Sequence, residues 1–113
     1  MVDSVSQSLE KYMDVLTTRQ KLVASNVANV DTPGYKTQDL DFQSEFNNSL
    51  HGTGTATSQE VTGLRVKNDG NNVNLDREAR LLSENSIRFT AATNLMKVQL
   101  RMLKSAIHEG QGA

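Results

Sequence analysis

The chain has 113 residues, 36% of them hydrophobic and 4% aromatic, with a formal net charge of −1 and no cysteine. That is enough for one domain with a thin core. Scarce aromatic residues argue against a buried small-molecule cleft, near-neutral charge against holding a phosphate backbone, and the missing thiols exclude disulfide, zinc-ribbon and iron–sulfur chemistry.

The opening MVDSVSQSLEKYMDV has no basic start, no continuous apolar run and no small-residue cleavage site. Neither a cleaved secretory signal nor a membrane span is expected. From Val2 to Val30 the apolar residues follow a helical period, and Val2, Leu9, Leu16, Val23 and Val30 recur every seventh residue as a coiled-coil-like seam. The adjoining row, Val5, Tyr12, Arg19 and Asn26, turns polar, so the seam should end or change partners near Arg19. Ser4 and Gln7 fit a capping box, and the pattern predicts a helix over about 4–28.

In the string ASNVANVDTPGYK, residues 24–36, Asn26 and Asn29 stand at the helix end, where their amides can hydrogen-bond free carbonyls. Thr32 before a proline leaves helical geometry, and Pro33–Gly34 is a favoured centre for a type II turn. Tyr35 follows, with a ring to dock and a hydroxyl to bond.

Residues 31–74 are rich in Thr, Ser, Asn, Asp and Gly and form a loop-rich middle. A short helix is predicted over 41–50, with Phe42, Phe46 and Leu50 four apart. HGTGTATSQ, residues 51–59, has almost nothing to bury and reads as a flexible loop. It lacks the lysine and preceding strand of a phosphate loop. Residues 61–67 suggest a strand, turned by Asn68, Asp69 and Gly70 toward Val73 as a short hairpin.

A second long helix is predicted over 75–109, with Asn74 or Asp76 as its cap, Asp76 and Glu78 at the positive end of its dipole, and Gly110 and Gly112 ending it. Leu75, Leu82, Phe89, Met96 and Leu103 recur every seventh residue beside Ala79, Ser86, Thr93, Leu100 and Ile107. Leu81, Leu95 and Met102 fall on another face, so this helix should have more than one neighbour. Lys97, Arg101 and Lys104 make a basic stripe, read as a solvated face.

Helices of ~25 and ~33 residues reach about 37 and 50 Å, beyond the ~34 Å width of a compact domain this size. The fold class is therefore mainly α: an elongated N- and C-terminal helix pair in one domain, 1–113, with uncovered apolar stripes. Leu9, Leu16, Val23, Leu82, Phe89, Met96 and Leu103 are the candidate assembly seam. His51 and His108 lack partners at metal-ligand spacing, and no nucleophile stands with a base. No catalytic site, cofactor, metal, nucleic acid or small-molecule substrate is expected. A helical adaptor binding one partner helix would fit the seams equally well.

The string 24–36 separates these alternatives. It resembles the signature of the flagellar rod and hook family, A-x-N-x-A-N-x-x-T-P-G-Y, through Ala24, Asn26, Ala28, Asn29, Thr32, Pro33, Gly34 and Tyr35. NVNLDREARLLSEN, residues 72–85, resembles the segment leading into the last helix of proximal rod members. The resemblance covers roughly residues 1–50 and 70–108; residues 51–69 match no family pattern. It implies a structural, non-enzymatic subunit of the bacterial basal body rod that polymerises and transmits torque between membrane ring and hook. Its partners would be itself, other rod proteins, the junction between membrane ring and rod adaptor, and the type III export gate. It would sit in the periplasmic rod, exported without a cleaved signal. Phe42 and Phe46 resemble the Phe-x-x-x-apolar element read at that gate, although the same spacing suits a short amphipathic helix.

Overall fold

A computed structural model describes residues 4–52 and 57–112. Helix α1 spans Ser4–Ala28, α2 Phe42–Leu50 and α3 Leu75–Gly112, with strands β1 (Gln38–Asp39) and β2 (Gln59–Glu60) between them. Val2 and residues 53–56 of the expected flexible loop lie outside the described residues. Helix α1 runs antiparallel along the first part of α3, since Asn26 near its end bonds Glu78 near the start of α3. At its other end Ser4 and Leu95 line one groove. With 38 residues, α3 is about 57 Å long at the usual helical rise. The molecule measures 72 × 27 × 17 Å with a radius of gyration of 18.6 Å, against ~13 Å for a compact domain of this size. The expected elongated helix pair is present.

Local chemistry sets the boundaries. Asn29 closes α1 by donating its backbone N–H and its side-chain amide to the Ser25 carbonyl, at 3.1 and 2.8 Å. Asp41 caps α2 by accepting from Ser44 N at 3.2 Å, and Asn74 caps α3 by accepting from Arg77 N at 3.1 Å. Gly110 does not end α3, which continues to Gly112. A glycine in the last helical turns costs at most ~1 kcal/mol, too little to break a ladder already propagated.

A short two-stranded antiparallel hairpin is present, but it is built from other residues than the expected 61–73. Strands β1 and β2 pair antiparallel, Gln38 opposite Glu60 and Asp39 opposite Gln59, and α2 lies in the connection between them. No strand occupies residues 61–67. The turn expected there does form: Gly70 N donates to Lys67 O and Lys67 N to Asn71 O, both at 2.9 Å. The chain beyond that turn is captured by another partner, because Asn71 and Asn72 bond the backbone around residues 29–37 rather than residues 61–66. Val66 is left exposed.

The buried apolar core is small: Val15, Leu16 and Val23 from α1, Leu40 and Val73 from the connections, and Ala92 from α3. Buried polar residues are more numerous, namely Asn26, Thr37, Glu45, Asn71, Asn72, Glu78 and Asn85. Their hydrogen bonds set how α3 is rotated. The face turned to α1 carries Glu78, Asn85 and Ala92, whereas Leu82, Phe89 and Leu103 of the expected seam are exposed. By helical periodicity the packed face is roughly 60° from that seam. Asn26 grips Glu78, Gln20 accepts from Asn85 at 3.2 Å, and the small Ala92 permits close approach. The apolar rows therefore flank the contact.

Candidate functional site: a polar turn lock and uncovered helix faces

The turn after α1 is the expected one. Tyr35 N donates to Thr32 O at 3.2 Å, with Pro33 and Gly34 at the centre and Gly34 at φ 76°. Gly34 N donates to Asp69 O at 2.9 Å, joining this turn to the 67–70 turn. The two turns touch through glycine. A Cβ on Gly70, itself at φ 87°, would stand 3.3 Å from Gly34 Cα. Lys36 Nζ also donates to Gly70 O.

Asn26 sits at the centre of this lock, 1% exposed, with all four hydrogen-bonding positions of its amide used. Its Nδ2 donates to Gln38 O at 2.8 Å and to Glu78 Oε1 at 2.6 Å. Its Oδ1 accepts from Tyr35 OH at 2.9 Å and from Gln38 N at 3.0 Å. The side chain thus joins α1, the turn, β1 and α3, where the helix-ending role expected for it falls to Asn29 alone. Asn29 Oδ1 also accepts from Thr32 Oγ1 at 3.0 Å. Tyr35 OH lies 3.3 Å from Ser25 Oγ as well.

The opposing side comes from residues sequence reasoning did not single out. Asn71 Nδ2 donates to Asn29 O at 2.8 Å and Thr32 O at 2.9 Å, while its Oδ1 accepts from Val73 N at 2.8 Å. Asn72 Oδ1 accepts from Thr37 N at 2.6 Å. The sequence signals were the clustering of asparagines at 68, 71, 72 and 74 and the family-like string beginning at Asn72, neither of which names a partner for a site 40 residues away.

An ionic cluster lies beside the lock. Arg19 reaches Asp39 with Nε at 3.1 Å and a terminal nitrogen at 3.0 Å, and Arg77 bridges Asp39 at 2.6 Å and Glu78 at 2.7 Å. Glu78 is fully buried, so it serves Asn26 and Arg77 rather than merely the dipole of α3. Two carboxylates face two guanidiniums, which leaves no net buried charge. Burial pushes the Asp39 carboxyl up, but hydrogen bonds from Arg19, the Leu40 N–H and Arg77 outweigh it and hold the group below the usual carboxylate range. Burial lowers Arg77, yet its bonds to Glu78 and Asp39 raise it above its ordinary value.

Phe42 and Phe46 stand on α2 and meet Tyr12 of α1 edge-on, ring centres 5.3 and 5.5 Å apart. The Arg88 guanidinium lies 5.8 Å from the Phe42 centroid. In the folded chain both Phe residues are packing groups. The seven seam residues do not form one surface: Leu16 and Val23 are buried within the chain, Leu9 and Met96 are half-buried, and Leu82, Phe89 and Leu103 are exposed. Of the turn string, Ala24, Ala28, Thr32, Pro33 and Gly34 are also exposed.

Two open grooves flank the contact of α1 with α3. One is lined by Leu16, Thr17, Gln20, Lys21, Asn85 and Phe89, among others, the other by Val5, Tyr12, Phe46, Ile87 and Leu95. Neither converges polar groups on one point. His51 Nδ1 lies 2.8 Å from its own helix carbonyl at Asn47, and His108 is exposed. Among the described residues no cluster of three potential ligands could hold a metal ion, and no helix is long and apolar enough to cross a membrane.

A family profile described as "Flagella basal body rod protein" matches residues 15–36, the segment carrying Arg19, Asn26 and the turn. The flagellar basal body rod protein FlgB of Borreliella burgdorferi is 30% identical over 120 residues, covering 84% of this chain and 87% of that protein. FlgB of Salmonella typhimurium is 27% identical, covering 96% of each chain, and that of Yersinia enterocolitica 25% identical, covering 97% of this chain and all of that protein. Likeness along nearly the whole length, together with a turn string whose asparagines build the lock, establishes that the chain belongs to the FlgB family of flagellar basal body rod proteins.

Proposed function

We propose that this chain is a subunit of the proximal rod, polymerising through α1 and α3 and carrying torque between membrane ring and hook. Family membership makes it a structural component of the basal body rod, associated with other basal body components, and not an enzyme. The observation that carries the finer reading is a polar lock fixing two helices at one end of a 72 Å molecule whose long helix exposes Leu82, Phe89, Leu100 and Leu103. Large apolar side chains left open along a stiff element mark a surface for neighbours. Load along bonded helices is transmitted without bending a loop.

In this reading the seam residues Leu9, Leu16, Val23, Leu82, Phe89, Met96 and Leu103 divide the labour. The buried ones set the helix pair, and the exposed ones meet adjacent subunits. The turn residues 24–35 hold the angle at which each subunit enters the rod. The subunit passes the export gate without a cleaved signal, occupies the periplasmic rod and contacts the ring and rod-adaptor junction. Phe42 and Phe46 are read at the gate in the unfolded chain and pack on Tyr12 afterwards, since export precedes folding.

The test replaces the chromosomal copy with Leu82→Asp, Phe89→Asp or Leu103→Asp variants. Helical content of the purified variants should persist, while basal bodies lack the subunit and cells do not swim. Complete rods built from all three would refute assembly through this face. For the gate, Phe42→Ala with Phe46→Ala should trap the subunit in the cytoplasm, and Leu at both positions should restore export. Wild-type amounts of the Ala variant outside the cytoplasm would leave these residues with packing alone.

A further inference from the structure

Charge is distributed unevenly along this molecule. Between Asn85 and His108 every Asp, Glu, Lys or Arg is basic, namely Arg88, Lys97, Arg101 and Lys104. Four positive charges within a chain of net charge −1 leave −5 on the remainder. Lys97, Arg101 and Lys104 lie on the part of α3 that extends past Ser4, the first described residue of α1, which packs near Leu95. All three are exposed, and none pairs with an acid among the described residues. Beside them run the exposed apolar residues Leu100, Leu103 and Ile107. The projecting end is thus an amphipathic helix with a basic flank.

The complementary surface is on α1. Glu10 and Asp14 are exposed, have no basic partner among the described residues, and are four apart like Lys97 and Arg101. They continue with Thr17 and Lys21 at helical spacing of four, three and four, so all four share one face. Thr17 and Lys21 line the groove whose apolar wall includes Leu16 and Phe89. The groove itself carries Thr17 and Lys21, and the acidic pair Glu10 and Asp14 continues the same face on the N-terminal side of Thr17, while an apolar row borders a basic stripe on distal α3. Within one chain the two cannot meet, because the continuous helix α3 carries its basic end away from Glu10 and Asp14.

We propose that the projecting end of α3 in one copy docks on the α1 groove of a second copy, with Lys97 and Arg101 set against Glu10 and Asp14. This deepens the rod-subunit reading and rests on it. The two faces are different surfaces, so the contact is heterologous and propagates from copy to copy instead of closing as a two-fold dimer. The apolar row supplies contact area, and the charge stripes supply register and direction.

The test is a charge swap in cells whose only copy is the variant, read as subunit recovered in purified basal bodies. Glu10→Lys with Asp14→Lys, and separately Lys97→Glu with Arg101→Glu, should each reduce incorporation about tenfold, and all four together should restore it to within about threefold. Circular dichroism of the purified variants checks that the helices persist, as expected for exposed positions. As a second readout, a chain carrying Asp14→Cys and Arg101→Cys, with no other cysteine present, should give a ladder of cross-linked multimers in the basal body. Undiminished incorporation of either reversal, or absence of the ladder, overturns the proposal and leaves the rod reading intact. Losses that the fourfold swap does not repair mean the basic stripe meets another rod protein or an anionic surface, which also overturns it. Absence of the wild-type chain from basal bodies would instead defeat the rod reading itself.

Discussion

Around the turn, Asn26, Asn71, Asn72 and Glu78 are buried and each bonds a specific partner, whereas every described residue from Leu100 to Gly110 is exposed. The lock is directional, since an amide with four partners tolerates one geometry. The projecting helix has only non-directional apolar rows and long-range charge, which accept several neighbours. One end therefore specifies its own shape, and the other is shaped by what it joins. The contrast can be broken by substitutions whose effects should be large at the lock and small on distal α3.

The largest effect is expected at Asn26. Asn26→Ala removes four hydrogen bonds and leaves Glu78 short of a partner in a fully buried setting, so the free chain should lose about 3 kcal/mol or more. Urea unfolding followed by circular dichroism measures it. A loss under 1 kcal/mol would show that the lock is not what holds the helix pair.

Backbone strain comes next. Gly34→Val should cost about 1–2 kcal/mol through φ 76° alone, because a Cβ there meets nothing within 4 Å. Gly70→Ala adds a 3.3 Å approach to Gly34 Cα and should cost more than Gly34→Ala. An equal cost for the two alanine variants would contradict the glycine contact between the turns.

Acid should act on the lock before it acts on distal α3. Asp39 is held below the carboxylate range, so its contribution is fully present above its unfolded value of ~3.9 and is lost as pH falls through the lower folded value. Arg77 is raised, so its contribution is fully present at every pH below its ordinary value and is lost only in strong alkali. Stability contributed by this pair should be flat near neutrality and fall below about pH 4, and Asp39→Asn should flatten that fall. Amide exchange at Gln38 and Val61 across the acid range is the measurement; identical acid profiles for wild type and Asp39→Asn would remove the cluster from the account.

The smallest effect should be at Leu103. Leu103→Ala should change the stability of the free chain by less than ~0.5 kcal/mol, since the side chain is exposed, while impairing rod assembly. Amides of residues 97–110 should exchange faster than those of 15–26. Strong protection of the distal segment in a dilute monomer would erase the difference between the two regions.

Much of this architecture was legible from the chain. Heptad spacing marked α1 and α3, four-residue spacing of Phe42 and Phe46 marked α2, and the Thr-Pro-Gly-Tyr run marked a turn that Gly34 adopts with positive φ. These are local consequences of side-chain period and backbone freedom, which neighbouring residues settle among themselves. The rotation of α3, the capture of residues 71–72 by the first turn, and the pairing of β1 with β2 were settled by contacts between residues 20 to 65 positions apart. Periodicity names the apolar faces of a helix but not which one a neighbour takes. Here buried amides and carboxylates chose the narrower polar face, because leaving Glu78 or Asn26 unbonded costs more than leaving Leu82 and Phe89 in water.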